Sequence, residues 1–347
     1  MATPLPFASV AQVLDLTFID PQRGWFLATG CRMDHTCPIV IHVTDDGGQT
    51  WQAVNAPTAE AIFAESILSD TKHVDALRFA NANVGWIFNP DFFSTRDGGK
   101  TWTDEKRRIV ALKQVGQSVW AVEQRGEQSV MIASTDLGQT WQVISRLPIQ
   151  YSGLMLIRAN VQTAWILAWQ EMTREAQLVM TDNGGNSWQA QSLPPYAGRC
   201  ISLVLARSDM KLWLWCGDGL ATAMQPKQLY ASFDNGANWN LVASSEPTDA
   251  PKTRGRIPTS GHMWDSRGFA VTSSTTAFMA LNRSTLYVTH DGGQTWSYVG
   301  TDQPINLGDA PIGPLYFIDA AHGWLVSAGR VFRTANGGVT WQTFPIQ

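Results

Sequence analysis

Seven carboxylate or carboxamide side chains recur in this sequence with the same neighbours. Asp46, Asp97, Asp136, Asn183, Asp234, Asp291 and Asn336 each stand two residues after a hydroxyl side chain, two before a Gly and five before a Trp. An acidic side chain beside Gly can ligate calcium, move a proton or tie down a turn. The segment is too short for a helix-flanked calcium loop and lacks the distal Glu that completes one. An Asp that accepts hydrogen bonds from the N–H groups of its own turn, with Gly supplying positive φ, accounts for every position. These octads therefore read as fold staples. Other chemistry is sparse: the six His (35, 42, 73, 262, 290 and 322) are dispersed, and there is no nucleophile elbow, phosphate loop or His-Glu-x-x-His helix. No catalytic residue, metal or cofactor is implied. The four Cys fall in two close pairs, Cys31 with Cys37 and Cys200 with Cys216, without the C-x2-C spacing of zinc ribbons. A hairpin turning near Ser208 and Asp209 would bring Cys200 opposite Cys216, so both pairs are candidate disulfides. They read as bridges of an oxidising compartment whose targeting segment has been removed, or as four thiols in the cytoplasm.

The elements that position the octads follow from composition and period. The chain has 347 residues, 44% hydrophobic and only 16% charged, with a net charge of -4, 16 Trp, 29 Gly, 7 Lys and 8 Glu. That balance excludes a disordered tail and a basic nucleic-acid binder, and it is poor in surface-helix formers. No apolar run approaches the ~20 residues of a membrane-spanning helix. The octad Trp residues, 51, 102, 141, 188, 239, 296 and 341, are separated by 51, 39, 47, 51, 57 and 45 residues. A period near 48 holds four short strands and fills the chain seven times. An aromatic opens the second strand of each unit: Trp25, Trp86, Trp120, Trp165, Trp213, Phe278 and Trp324. The expected fold is all-β: a seven-bladed β-propeller with four-stranded antiparallel blades and one such turn per blade. The whole chain, 1–347, forms the domain, with blades near 11–55, 73–105, 109–145, 152–192, 200–243, 268–300 and 313–347.

The octads resemble Asp-box, or BNR, repeats. Phe18-x-Asp20 with Gly24-Trp25 and Phe317-x-Asp319 with Gly323-Trp324 carry a phrase, F-x-D-x-x-x-G-W, that is similar to the photosystem II stability and assembly factor family. The second unit keeps it as Phe79-x-Asn81 with Gly85-Trp86. The resemblance implies a non-enzymatic monomeric propeller that assembles or stabilises an envelope or membrane complex by binding a protein partner. It also implies a secreted, periplasmic or lumenal location.

In Asp-box propellers the box lies at the turn between the third and fourth strands, which leaves the opposite loop face for recognition. The candidates there are Arg107, Arg108, Trp169, Arg199, Arg254, Arg256, Trp264, Arg267, Arg283 and Arg330, with Asp91, Phe92, Phe93, Glu123 and Arg125 nearby. Arg suits bidentate recognition of carboxylates, and Trp anchors interfaces. The alternative is a carbohydrate-binding propeller or a sialidase-like glycosidase. Arg256-Ile257-Pro258 echoes a sialidase tripeptide, but between the fifth and sixth boxes rather than before the first. Glu171 and Asp218 could pair as acid and base without any local motif to support them.

Overall fold

Short apolar stretches alternate with Gly- and Asp-rich turns along this chain, and they fold as antiparallel sheets in which each strand pairs with its neighbours in sequence. The computed structural model describes residues 12–32, 36–62, 71–170, 172–219, 225–245, 255–263, 266–282, 285–299, 305, 307 and 312–346. The first sheet takes Gln12–Phe18, Gly24–Thr29, Ile39–Thr44 and Gln52–Val54 in that order. The same plan recurs in the sheets that begin at Gly153–Arg158, Phe269–Val271 and Ile312–Phe317. The sheet beginning at Cys200–Ser208 adds a fifth strand, Gly255–Arg256, parallel to Asn240–Ser244.

Between the first and second of these lies a seven-stranded sheet. Its centre is one long strand, Thr103–Val115. The early residues of that strand pair with Asp91–Thr95 and the late ones, from Ile109, with Ser118–Arg125. It thus ends one four-stranded unit and begins the next without a loop. The chain is an all-β propeller with four-stranded antiparallel blades. Among the described residues no helix is long and apolar enough to cross a membrane.

The innermost strands follow one another round a circuit, in which Thr103–Val115 meets the second unit through Gly85–Phe88. Gln12–Phe18 contacts Ile312–Phe317 on one side and Ala76–Phe79 on the other, and Thr103–Val115, Gly153–Arg158, Cys200–Ser208 and Phe269–Val271 complete the round. Packing between sheets explains the recurring phrase residue by residue. Phe18 stacks on Trp324 at 3.6 Å, Phe79 on Trp25 at 3.8 Å and Phe317 on Phe278 at 4.4 Å, so each inner Phe lies on the aromatic of the preceding unit. The Gly before each Trp is required because a Cβ at Gly24, Gly85 or Gly323 would stand 2.5, 2.6 or 2.4 Å from the Phe of its own unit. The polar member, Asp20, Asn81 or Asp319, accepts N–H bonds from the turn that follows. Trp25, Trp86, Trp165, Trp213, Phe278 and Trp324 are wholly enclosed. Burying rings of this size is the main favourable term in a fold so poor in charge.

Two local expectations are corrected. Phe92 and Phe93 were expected on a loop, but the turn at Asn89-Pro90 is so tight that a strand begins at Asp91, and both rings are buried. Arg107 and Arg108 sit within the long strand rather than on a connection.

Candidate functional site

The two ends of the strands carry different chemistry. At one end stand the octad turns. In the first, Thr44 Oγ1 donates to Asp46 Oδ1 at 2.7 Å and itself accepts from Gly48 N at 2.9 Å. Asp46 also accepts from Gln49 N, Thr50 N and Thr50 Oγ1. Slight burial works to raise the Asp46 pKa, yet these bonds from Thr50, Thr44 and Gln49 hold it down at about 2. Hydrogen bonds led by the Thr101 hydroxyl hold Asp97 at about 2 as well, and Asp136, Asp234 and Asp291 are lowered in the same way. At Asn183 and Asn336 the carboxamide donates to Ser187 and Thr340 instead. A carboxylate saturated by its own turn has neither the free lone pairs for a metal nor the pKa for proton transfer. Among the described residues no group of three or more His, Cys, Asp or Glu side chains is placed to hold a metal ion.

The box also ties unit to unit. Trp102 Nε1 donates to Asn55 O and Trp239 Nε1 to Ser192 O, each on the preceding outer strand. In return, the core Trp324 and Trp165 donate to Gly47 O and Asn235 O inside the following box.

The loop end is built from unrepeated groups. Glu123 is nearly enclosed and accepts from Arg107 at 2.8 Å and from Arg125 at 2.6 Å. Arg108 lies opposite Asp91, whose buried carboxylate takes Lys72 Nζ at 3.0 Å and His73 N at 2.8 Å. Arg199 sits 5.5 Å from the Tyr196 ring, and Tyr196 Oη donates to Asp218. The bridges Cys31–Cys37 and Cys200–Cys216 close the base of two of these loops. Buried Lys227 donates its ammonium to the carbonyls of Pro258, Thr259 and Ser260, which pins the segment that carries exposed Arg256. Arg330 is exposed at a tight turn with Ala328 and Gly329 at positive φ.

Two adjoining cavities, of about 450 and 470 Å³, lie between neighbouring units, the first against the Glu127-Gln128 turn of this end and the second reaching along the outer strand to the octad residue Trp188. One is lined by Glu127, Gln128, Arg146 and Gln150, the other by Leu178, Trp188 and Leu193, and they share Pro148 and Gln177.

The sequence candidates do not assemble into one patch. Arg107 joins Arg125 around Glu123, whereas Trp169 is half-buried, filling the space that a side chain at Gly153 would need. Arg267 turns inward and donates to Leu14 O on the first inner strand. Arg254, Trp264, Arg283 and Glu171 lie outside the described residues. Glu123 as a hub, Lys227 as a clasp and an inner-strand ion pair of Arg78 with Asp15 were missed. A signal existed for the last, since Asp15 interrupts an otherwise apolar run, Val13-Leu14-Asp15-Leu16.

The BNR/Asp-box repeat family matches residues 42–53 and 287–298. Among solved structures the chain is similar to YCF48 bound to a D1 peptide, at 19% identity over 96% of both chains with a TM-score of 0.60. It is also similar to YCF48 from Cyanidioschyzon merolae, at 14% identity over 96% of this chain and 97% of that one, with a TM-score of 0.61. A GH74 enzyme of Niastella koreensis aligns at 13% identity over 95% of this chain and 71% of that one, but its TM-score of 0.35 carries no argument. No curated protein matches. The chain carries Asp-box repeats on a propeller that resembles YCF48.

Proposed function

We propose that this protein is a non-enzymatic binding scaffold of seven blades that holds a protein partner on the loop face opposite its Asp-boxes. The observation that carries the reading is the contrast in polar groups between the two ends. Box carboxylates are consumed by their own turns, while the loop end offers exposed Arg146 on the lining of one of two adjoining cavities and exposed Arg330 on the turn of another unit. Arginines beside a concave, partly apolar groove suit an acidic or carboxylate-bearing polypeptide. The fold shared with a YCF48 solved with a bound D1 peptide supports a polypeptide partner.

The seven-blade count belongs to this reading, and so does the single domain over 1–347. Seven octads support it, as does the change of partner strand near Ile109 that divides the seven-stranded sheet into two sets of four strands. A secreted, periplasmic or lumenal setting is supported by the two cystine pairs. The glycosidase reading is weakened because Phe92 and Phe93, two of the aromatics that could have stacked on a sugar, are core, and Asp218 accepts from Tyr196.

Cross-linking capture from solubilised envelope tests the proposal, comparing the wild type with a variant carrying Arg146→Glu, Arg256→Glu and Arg330→Glu. One defined protein retained by the wild type and lost by the folded variant is the expected result. Equal capture by both, or binding on a glycan array in place of any protein, overturns it.

A further inference from the structure

One carbonyl recurs at the head of the third strand, five residues before the box hydroxyl. In four units, those of Thr95, Ser134, Ser232 and Thr334, it accepts an N–H from the chain that continues the outer strand. Ile109 N donates to Pro90 O at 2.7 Å, and Leu147 N to Ser129 O, Ser245 N to Lys227 O and Ile346 N to Gly329 O each at 2.9 Å. These bonds close the sheet edge at the loop end. Three of the four donors are aliphatic and pack between units, Ile109 and Leu147 buried and Ile346 partly so.

The unit of Thr181 departs from this rule. Its equivalent carbonyl is Ala176 O. Leu147 and Ser245 stand six residues after their box Trp, and the residue in that place after Trp188 is Pro194, which has no N–H to give. The outer strand stops at Gln191, opposite Leu178, and a short 3-10 helix, Pro195–Arg199, follows. On the other side Gln170 N donates to Glu175 O at 2.8 Å. The alternation of an antiparallel pair then points the N–H and C=O of Ala176 away from the second strand and toward the open edge. Among the described residues no backbone N–H beyond that edge donates to Ala176 O.

The two adjoining cavities lie at this edge: Ala176 lines the second, and Gln177 lines both. The second has apolar walls, with Pro148, Leu178, Val179, Trp188 and Leu193, and suits the aliphatic side chain that accompanies the N–H in other units. The first carries exposed Arg146, which takes part in none of the ion pairs among the described residues. Glu127 on the same cavity suits one acidic guest residue there rather than a run of them.

We propose that an extended segment of the protein partner docks here by strand addition. The N–H of an aliphatic residue donates to Ala176 O, its side chain enters the apolar cavity, and an acidic neighbour meets Arg146. The inference rests on the reading of the chain as a polypeptide-binding scaffold and locates the contact on one sheet edge. A bare edge invites pairing, and a guest strand supplies the donor that Pro194 lacks.

The peptide acetyl-Ser-Thr-Ile-Glu-Ser-amide, titrated into the full chain, tests the site by calorimetry and by the backbone amide resonances of Gln177 and Ala190. Saturable binding with shifts at both residues is expected. Methylation of the Ile nitrogen of the peptide should weaken binding at least tenfold, as should replacement of its Ile by Ser. Ala190→Trp, which fills the cavity from an exposed position on its wall, should also cost at least tenfold. Absence of saturable binding overturns the inference, as does equal affinity for the methylated peptide or binding unchanged by Ala190→Trp. The methylated peptide is read against the wild-type chain, so the test does not depend on the variant folding. Failure of the peptide while envelope capture still retains a protein lost by the arginine variant overturns strand addition alone. Failure of capture itself overturns the scaffold reading beneath it.

Discussion

The Asp-box end and the loop end are made by the same strands, but they solve opposite problems. At the box end Asp46 receives bonds from Thr44, Gln49 and Thr50, and the same set of contacts recurs at Asp136 and Asp291. At the loop end the described turns differ from one another. Glu123 balances two arginines, Lys227 clasps three carbonyls, and Tyr196 holds Asp218. Repetition marks the end where the only requirement is to keep sheets in place. Variety marks the end where chemistry was free to diverge, because loops on a rigid scaffold can change without cost to the packing beneath them.

The comparison is sharpened most by Trp165→Ala, which removes a fully enclosed ring and the bond to Asn235 O in the next box. A loss of about 3–5 kcal/mol by denaturant unfolding is expected, against less than about 0.5 kcal/mol for exposed Arg256→Ala. Similar values for the two would erase the distinction. Next comes Lys227→Met, which leaves three carbonyls without their donor and should cost about 2–3 kcal/mol. Hydrogen exchange should then quicken at residues 255–260 and stay unchanged in the box turns.

A pH series separates the box turns from Asp75, next to the inner strand Ala76–Phe79, by sign. Asp75 accepts a bond from Asn89 Nδ2 at 2.8 Å and is buried. Asp46 is lowered to about 2, so the folded chain binds fewer protons than the unfolded one up to about pH 4. Stability from that group grows as pH rises through this window and is lost as pH falls through it. Asp75, raised to about 6, retains its proton where an unfolded Asp has released it. Its contribution therefore falls as pH climbs from about 4 to about 6, by about 3 kcal/mol. Asp75→Asn should flatten the upper slope in chemical denaturation and leave the lower one, and a wild type with no downward slope there would contradict the assignment. Smallest is Glu123→Gln. Both arginine partners are partly hydrated, so about 1 kcal/mol of stability is expected to go, with a steeper salt dependence for capture of an acidic partner as Arg107 and Arg125 are released.

Much of the architecture was legible in the sequence because it is written locally and repeatedly. A hydroxyl, an Asp, a Gly and a Trp at fixed spacing specify a turn whatever lies around it, and the Gly before Trp25, Trp86 and Trp324 records the Phe ring of its own unit. The loop end was read less well because its outcome depends on partners distant in sequence. Arg267 looked like a surface cation until Leu14 O, from the first strand, received it. Phe92 and Phe93 were misjudged because Asn89-Pro90 announces a loop without saying how short it is.

The long strand Thr103–Val115 gives the ring a mechanical asymmetry. Two adjacent sheets share it as a continuous backbone, with hydrogen bonds along both of its edges, whereas the junction between the last sheet and the first rests on side-chain stacking of Phe18 on Trp324 and on bonds such as Tyr316 Oη to Phe18 O. A strand resists stretching as a tie rod does, while stacked rings slide at little cost. Any strain that widens the circle, such as a pull on the rim, will be absorbed away from the shared strand. The molecule thus behaves as a washer with one welded arc and stacked joints elsewhere.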